Sequence, residues 1–136
     1  MKSRSRIWPL PAVLSVVILA ALACGGSFST ANIKNAWLSS DSSGTPETSQ
    51  FSQDETFYCI VELANAPDET TIKAVWTAVS AEGTDPGFLI DESELTSGDG
   101  TITFNLTNDN LWPIGSYKVD LYLNDELDRT LTFDVQ

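Results

Sequence analysis

In the stretch Trp112-Pro-Ile-Gly-Ser-Tyr-Lys-Val-Asp-Leu-Tyr-Leu-Asn-Asp-Glu-Leu-Asp-Arg-Thr-Leu-Thr-Phe-Asp-Val135 two alternating arms meet at Asn124-Asp125, and this pattern sets the architecture of the chain. In the first arm Tyr117, Val119, Leu121 and Leu123 fall on one face, with Lys118, Asp120 and Tyr122 on the other. In the second arm Leu131, Phe133 and Val135 oppose Thr130, Thr132 and Asp134. Side chains of a strand alternate between its two faces, so this period-two pattern around a two-residue turn predicts a β-hairpin with one buried side. Asn-Asp is a weaker turn signal than Asn-Gly, because Asp accepts positive φ less readily than Gly.

Upstream segments repeat the pattern. Glu55 to Ala64 predicts a strand with Phe57, Cys59, Val61 and Leu63 inward and Tyr58, Ile60 and Glu62 outward. Thr71 to Ser80 predicts another, with Ile72, Ala74, Trp76 and Ala78 on one face and Lys73, Val75, Thr77 and Val79 on the other. Phe88 to Leu95 reads as an edge strand, and Thr101 to Thr107 buries Ile102, Phe104 and Leu106. Ile33, Ala36 and Trp37 supply a short first strand or, failing that, part of a stalk. Ser39 to Gln53 is rich in Ser and Thr, carries Gly44 and Pro46, and predicts a long loop or flexible linker with almost nothing to bury. About seven short strands separated by turn clusters, with no sustained helical period, predict an all-β antiparallel sandwich over residues 31–136.

The chain opens differently. Lys2, Arg4 and Arg6 precede an apolar run from Ile7 to Ala23, followed by Cys24 and Gly25-Gly26. Positive charge, an apolar core and small residues are the layout of a secretory signal, here residues 1–23. Ala21-Leu-Ala-Cys24 resembles the lipobox of bacterial lipoproteins. The resemblance implies that Cys24 is lipidated, that residues 24–30 form a lipidated N-terminus and short tether, and that the protein is anchored outside the cytoplasm, in the cell membrane or an outer membrane. The position of Ala21 usually holds Leu in that family, and that of Leu22 a smaller residue.

Beyond Cys24, Lys34, Lys73, Lys118 and Arg129 stand against 19 acidic residues, a formal charge of −15. That balance argues against nucleic acid and against lying flat on anionic lipid, both of which reward cationic patches. With Cys24 lipidated, Cys59 is the one remaining thiol and no intrachain disulfide forms. Its alternation with apolar neighbours predicts a buried, inert thiol.

Cys59 and Trp76 also resemble the first core cysteine and the tryptophan of the immunoglobulin-like fold, and Gly115-Ser-Tyr117-Lys-Val119 resembles its tyrosine corner. Val119 occupies the site of the second cysteine, so the resemblance implies an apolar contact with Cys59 in place of the inter-sheet disulfide. Trp112-Pro-Ile-Gly-Ser-Tyr further resembles small extracytoplasmic bacterial sandwich domains, including a proteinase-inhibitor type.

Chemistry is sparse. The chain has no histidine, which excludes Ser-His-Asp and Cys-His catalysis and removes the commonest metal ligand. Glu92 with Glu94, or Asp125 with Asp128, are the closest carboxylate pairs for acid/base work, and read better as solvated loop charge. Asp85, Asp91, Glu92, Glu94, Asp99 and Asn108-Asp-Asn110 supply oxygen donors without an EF-hand spacing, so no metal is assigned. Asn105-Leu-Thr107 fits a glycosylation sequon inside a predicted strand, where chance is the better account.

What remains is a surface. With Trp76 and Val119 inward, Lys73, Val75, Val79, Lys118 and Tyr122 share the opposite face with Thr77, Thr130 and Thr132, a candidate docking face. The expectation is a lipid-anchored, extracytoplasmic, non-catalytic binding or spacer module that needs no cofactor, with an envelope protein or a glycan as partner and no nucleic acid. An inhibitor or accessory subunit of an envelope protein is the alternative, and a carboxylate-dependent hydrolase the remote one.

Overall fold

The computed structural model describes residues 30–136; the signal segment and Cys24 lie outside the described residues. Eight strands follow in order: β1 (Asn32–Ser39), β2 (Gln50–Phe51), β3 (Phe57–Ala64), β4 (Thr70–Ala81), β5 (Phe88–Ser97), β6 (Gly100–Leu106), β7 (Gly115–Leu123) and β8 (Glu126–Val135). They form two sheets, β1-β3-β6 and β2-β8-β7-β4-β5. All pairings are antiparallel except β2 with β8, which is parallel. The all-β immunoglobulin-like sandwich is therefore the fold.

The hairpin at 115–135 forms as its alternation requires. Asn124 (φ 49°) and Asp125 (φ 70°) both take positive φ, the backbone of a type I′ turn whose twist suits the flanking strands. Asn124 also accepts from Thr71 N–H through its side chain at 3.0 Å, tying the turn to the start of β4. The register shifts between Leu121 and Tyr122. The bulge ends the alternation on the β8 side, and Leu127 is exposed.

The predicted inward faces meet in one core. Phe57, Cys59, Val61, Ile72, Ala74, Trp76, Val119 and Leu121 are all buried. Cys59 and Val119 lie in the same core cluster, in which no disulfide links the sheets. Tyr117 donates its hydroxyl to the carbonyl of Pro113 at 2.6 Å, which is the tyrosine corner. Phe57 is the hub of an aromatic cluster: its ring centroid lies 4.6 Å from Trp112, 4.8 Å from Phe51, 4.8 Å from Phe133, 5.9 Å from Tyr117 and 6.4 Å from Trp76. Trp112 belongs to the core although it sits in the β6–β7 connection; its indole N–H donates to Glu55 O at 3.0 Å. At Gly115 (φ 156°) a Cβ would lie 2.3 Å from Ser80 O, so the close approach of β4 and β7 there requires glycine.

The 39–53 segment departs from the sequence expectation. β1 does pair, so the segment is a loop within the domain, and it is built into the structure instead of hanging free. Phe51 is buried and, as part of β2, joins β8. The loop also folds back over the outer side of β3. Gly44 (φ 84°) sits where a Cβ would lie 3.1 Å from both Ile60 Cγ1 and Trp37 Nε1, and Trp37 donates its indole N–H to Gly44 O at 2.9 Å. Ile60 points outward as its position in the alternation requires, yet the loop leaves it only 3% exposed. Two apolar residues, Phe51 and Ile60, thus give the polar stretch something to pack against.

Candidate functional site

Outer and end surfaces supply the candidate sites. β4 and β7 are neighbours, and their register places Lys73 opposite Tyr122, Val75 opposite Asp120 and Thr77 opposite Lys118. Directly opposed residues share a face, so four of the five candidate docking residues come together on the outer side of the five-stranded sheet. Val79 falls at the register shift between Ala78 and Ser80 and is exposed there. Lys73 Nζ lies 5.0 Å from the centre of the Tyr122 ring, a cation–π contact.

Asp120 changes the character of this face. It is only 9% exposed, accepts a short hydrogen bond from the Thr130 hydroxyl, and pairs with Lys118 Nζ at 3.4 Å. A carboxylate held by Thr130 and Lys118 therefore lies within the candidate docking face. Alternation had already put Asp120 between Lys118 and Tyr122 on this face; its pairing depends on β8 and needed the register. Thr77 and Thr132 flank Lys118, and Ser116 donates its hydroxyl to Asp134 Oδ1 at 3.1 Å along the same face.

The acidic candidates do not converge. Glu92 and Glu94 lie opposite Val75 and Lys73, on the outer side of β5, whereas Asp91 lies opposite Trp76 on the inner side. Asp99 accepts from Ala66 N–H at 2.6 Å and Asp128 accepts from Arg129 Nε at 2.7 Å, both spent on local structure. Asp125 is a turn residue. Among the described residues, no three Cys, Asp or Glu side chains are grouped to hold a metal ion. Burial pushes the Cys59 thiol up to about 12, which keeps it protonated and unreactive at neutral pH.

Recesses also mark the surface of the described residues. A groove of about 680 Å³ runs between β1 and β8, walled by Ala36, Trp37, Leu38, Thr130, Leu131 and Thr132. A smaller cleft of about 220 Å³ opens at one end of the sandwich, lined by Phe88, Ile90, Trp112, Pro113, Tyr117 and Asn108. It exists because β5 extends the larger sheet beyond the three-stranded one. Phe88 faces the same way as buried Ala78 but is 52% exposed. Sequence reading missed this cleft, since nothing local marks which side chains of an edge strand lack a facing sheet.

No family model matches the chain, and no curated protein matches it in sequence. Solved structures do resemble it. An immunoglobulin-like protein from Pseudomonas aeruginosa superposes with a TM-score of 0.53 at 13% identity, over 81% of this chain and 99% of that one. The C-terminal domain of Wzt gives 0.53 at 11% identity, over 80% of this chain and 75% of that one. A β-glucosidase from Listeria innocua gives 0.54 at 18% identity over 79% of this chain, which spans only 16% of the enzyme. The chain likewise spans 31% of an alkylpurine DNA glycosylase from Pseudomonas fluorescens, at a TM-score of 0.52 and 15% identity. At these identities the likeness concerns architecture, and the architecture it supports is the immunoglobulin-like sandwich.

Proposed function

We propose that the protein is a lipid-anchored, extracytoplasmic, non-catalytic binding module that engages an envelope protein through the outer face of its five-stranded sheet. The observation that carries this reading is the side-by-side placement of Lys73, Val75, Lys118 and Tyr122 on one rigid, solvent-facing surface, with cation and aromatic ring already in contact. Binding faces favour aromatic anchors held by a stiff scaffold, because little side-chain entropy is then lost on association. The neighbours support a modular role: the same architecture occurs as a small part of much longer chains.

Anchoring at Cys24 gives that module an orientation. Six residue steps separate Cys24 from Thr30, a reach of about 20 Å at most. Thr30 donates its hydroxyl to Asn65 O at 3.0 Å, at the β3–β4 turn. The end of the sandwich carrying that turn therefore faces the bilayer, and the end carrying the 82–87 and 107–114 loops faces away.

Cell fractionation tests the anchor and cross-linking tests the face. Cys24→Ser is expected to move the protein from the membrane to the soluble fraction; a Cys24→Ser protein that stays with membranes ends the lipid assignment. Cross-linking in native membranes followed by affinity purification is expected to recover a stoichiometric partner that Val75→Lys with Tyr122→Glu loses. A partner held equally by both proteins removes this face from the proposal, and no partner with either favours a spacer.

A further inference from the structure

Among the described residues β5 is the terminal strand of its sheet and is hydrogen-bonded to β4 alone, so its second edge presents unpaired main-chain donors and acceptors. Such an edge is a template for an added strand. The register against β4 passes from Asp91 to Leu89 while β4 moves only from Trp76 to Thr77, so Ile90 is an extra residue that bulges β5 and leaves Asp91–Ser97 as the continuous stretch of its free edge.

Charge narrows what can pair with it. Asp91, Glu92 and Glu94 project from β5, with Glu92 and Glu94 outward and Asp91 inward. A second copy of the chain docking β5 against β5 would bring two acidic runs into register, and like charges directly opposed across strands are destabilising. A strand carrying Lys or Arg at those positions gains where the second copy loses. Lys73 is the one basic residue directly opposite this run on β4, and its ammonium is already engaged by the Tyr122 ring.

The inner side of the edge supplies a pocket. Phe88 and Leu95 lie opposite Ala78 and Ile72, on the core side of the sheet, yet both remain exposed because no strand of the smaller sheet covers them. Beside Phe88 is the cleft of about 220 Å³ bounded by Ile90, Trp112 and Pro113. A strand added beside β5 projects alternate side chains toward this ledge, so one apolar residue at its end reaches the cleft while basic residues meet Glu92 and Glu94.

We infer that the free edge of β5 is a strand-addition site for an extended, basic segment of a partner protein, one apolar side chain of which seats in the Phe88–Trp112 cleft. This site adjoins the outer face of β4 and β7, since Glu92 and Glu94 stand opposite Val75 and Lys73, but it uses the main-chain edge of β5 and does not depend on the lipid. It differs from a generally acidic surface in requiring an extended backbone.

Peptide titration of the full-length chain in detergent micelles at physiological salt tests the inference. The probe is a nine-residue peptide alternating lysine with valine and ending in leucine; the proline control has equal charge, carries proline in place of valine and N-methyl groups on its remaining main-chain amides, and so has no donor for a ladder on either edge. The expected result is saturable binding of the first peptide with a change in tryptophan fluorescence and slowed amide exchange in β5. Binding should weaken at least ~10-fold for the proline control and for Asp91→Lys, Glu92→Lys, Glu94→Lys. Phe88→Ser should weaken the leucine-ended peptide selectively over one ending in serine. Equal binding of the proline control would reduce the interaction to charge alone and overturn the inference, as would protection of any strand other than β5. A β5-mediated dimer in sedimentation experiments would replace the basic partner with a second copy. The proline control and Phe88→Ser leave the lipid and the β4–β7 face untouched, whereas Glu92→Lys and Glu94→Lys stand opposite Val75 and Lys73 of that face; failure of the first two therefore overturns this inference and leaves the proposed function standing.

Discussion

Arg129 on β8 donates from Nη2 to the main-chain carbonyl of Ile33 on β1 at 2.7 Å, joining the two sheets across an edge where no strand ladder does so. β1 has a register shift between Ile33 and Asn35, which disturbs the local pairing with β3, and the guanidinium takes up the Ile33 oxygen. Asp128 Oδ2, 2.7 Å from Nε, holds the guanidinium in position.

Replacing Arg129 by Met keeps the apolar stem and removes the clasp. A loss of about 1–2 kcal/mol is expected, the range for a hydrogen bond to a charged donor discounted for partial exposure. Arg129→Lys should recover only part of it, since an ammonium cannot serve Ile33 and Asp128 with the same fork. Chemical denaturation measures both; an unchanged midpoint for Arg129→Met would show that β1 is held by β3 alone.

Phe51 distinguishes a built-in loop from a linker. Its ring packs 4.8 Å from Phe57 and 5.4 Å from Phe133, edge to face. Phe51→Ala should therefore cost about 3–5 kcal/mol, as for other buried aromatics. The same substitution at exposed Ser42 should be nearly silent. Thermal unfolding of the two variants compares them, and a wild-type melting temperature for Phe51→Ala would show that residues 39–53 behave as a flexible linker.

Cys59 should make the fold sensitive to alkali. Its thiol titrates at about 12 in the folded protein because burial disfavours the thiolate, and Tyr117 is raised by burial in the same direction. Below an unfolded thiol pKa of about 8.5, both states hold the proton and the contribution to stability is complete. As pH rises toward 12 the unfolded chain ionises first, so stability falls, by roughly 4 kcal/mol for the thiol across that window. Cys59→Ala should show a flatter decline between pH 9 and 12 when equilibrium unfolding is followed at each pH. Superimposable pH profiles would mean that the thiol ionises freely in the folded state. A thiol reagent at pH 8 should label Cys59 only after denaturant is added.

Local pattern was enough for most strands. Alternation in Tyr117 to Val135, Phe57 to Leu63 and Ile72 to Ala78 identifies inward residues that are buried in the structure, save Leu123 and Leu131, which are half-buried against the core, because a sheet with one covered face imposes period two directly on sequence. The Gly115–Tyr117 motif was equally legible, its hydrogen bond spanning only four residues. The docking candidates Lys73, Val75, Lys118 and Tyr122 were placed on one face by the same parity, although which residues stand side by side required the β4–β7 register.

Every strand but β2, most inward faces, the acidic charge and the lack of histidine are legible in the chain itself. The rest depends on tertiary structure: that Phe51 of the Ser/Thr-rich loop packs into the core and the same loop covers Ile60, that Asp120 is held by Thr130 and Lys118, and that Phe88 on β5 stays uncovered. The physical reason is range. Period-two burial is a property of neighbours in the chain, whereas a loop's coverage, a carboxylate's partner and an edge's exposure depend on which distant strand lies alongside. That choice is made by the packing of two whole sheets.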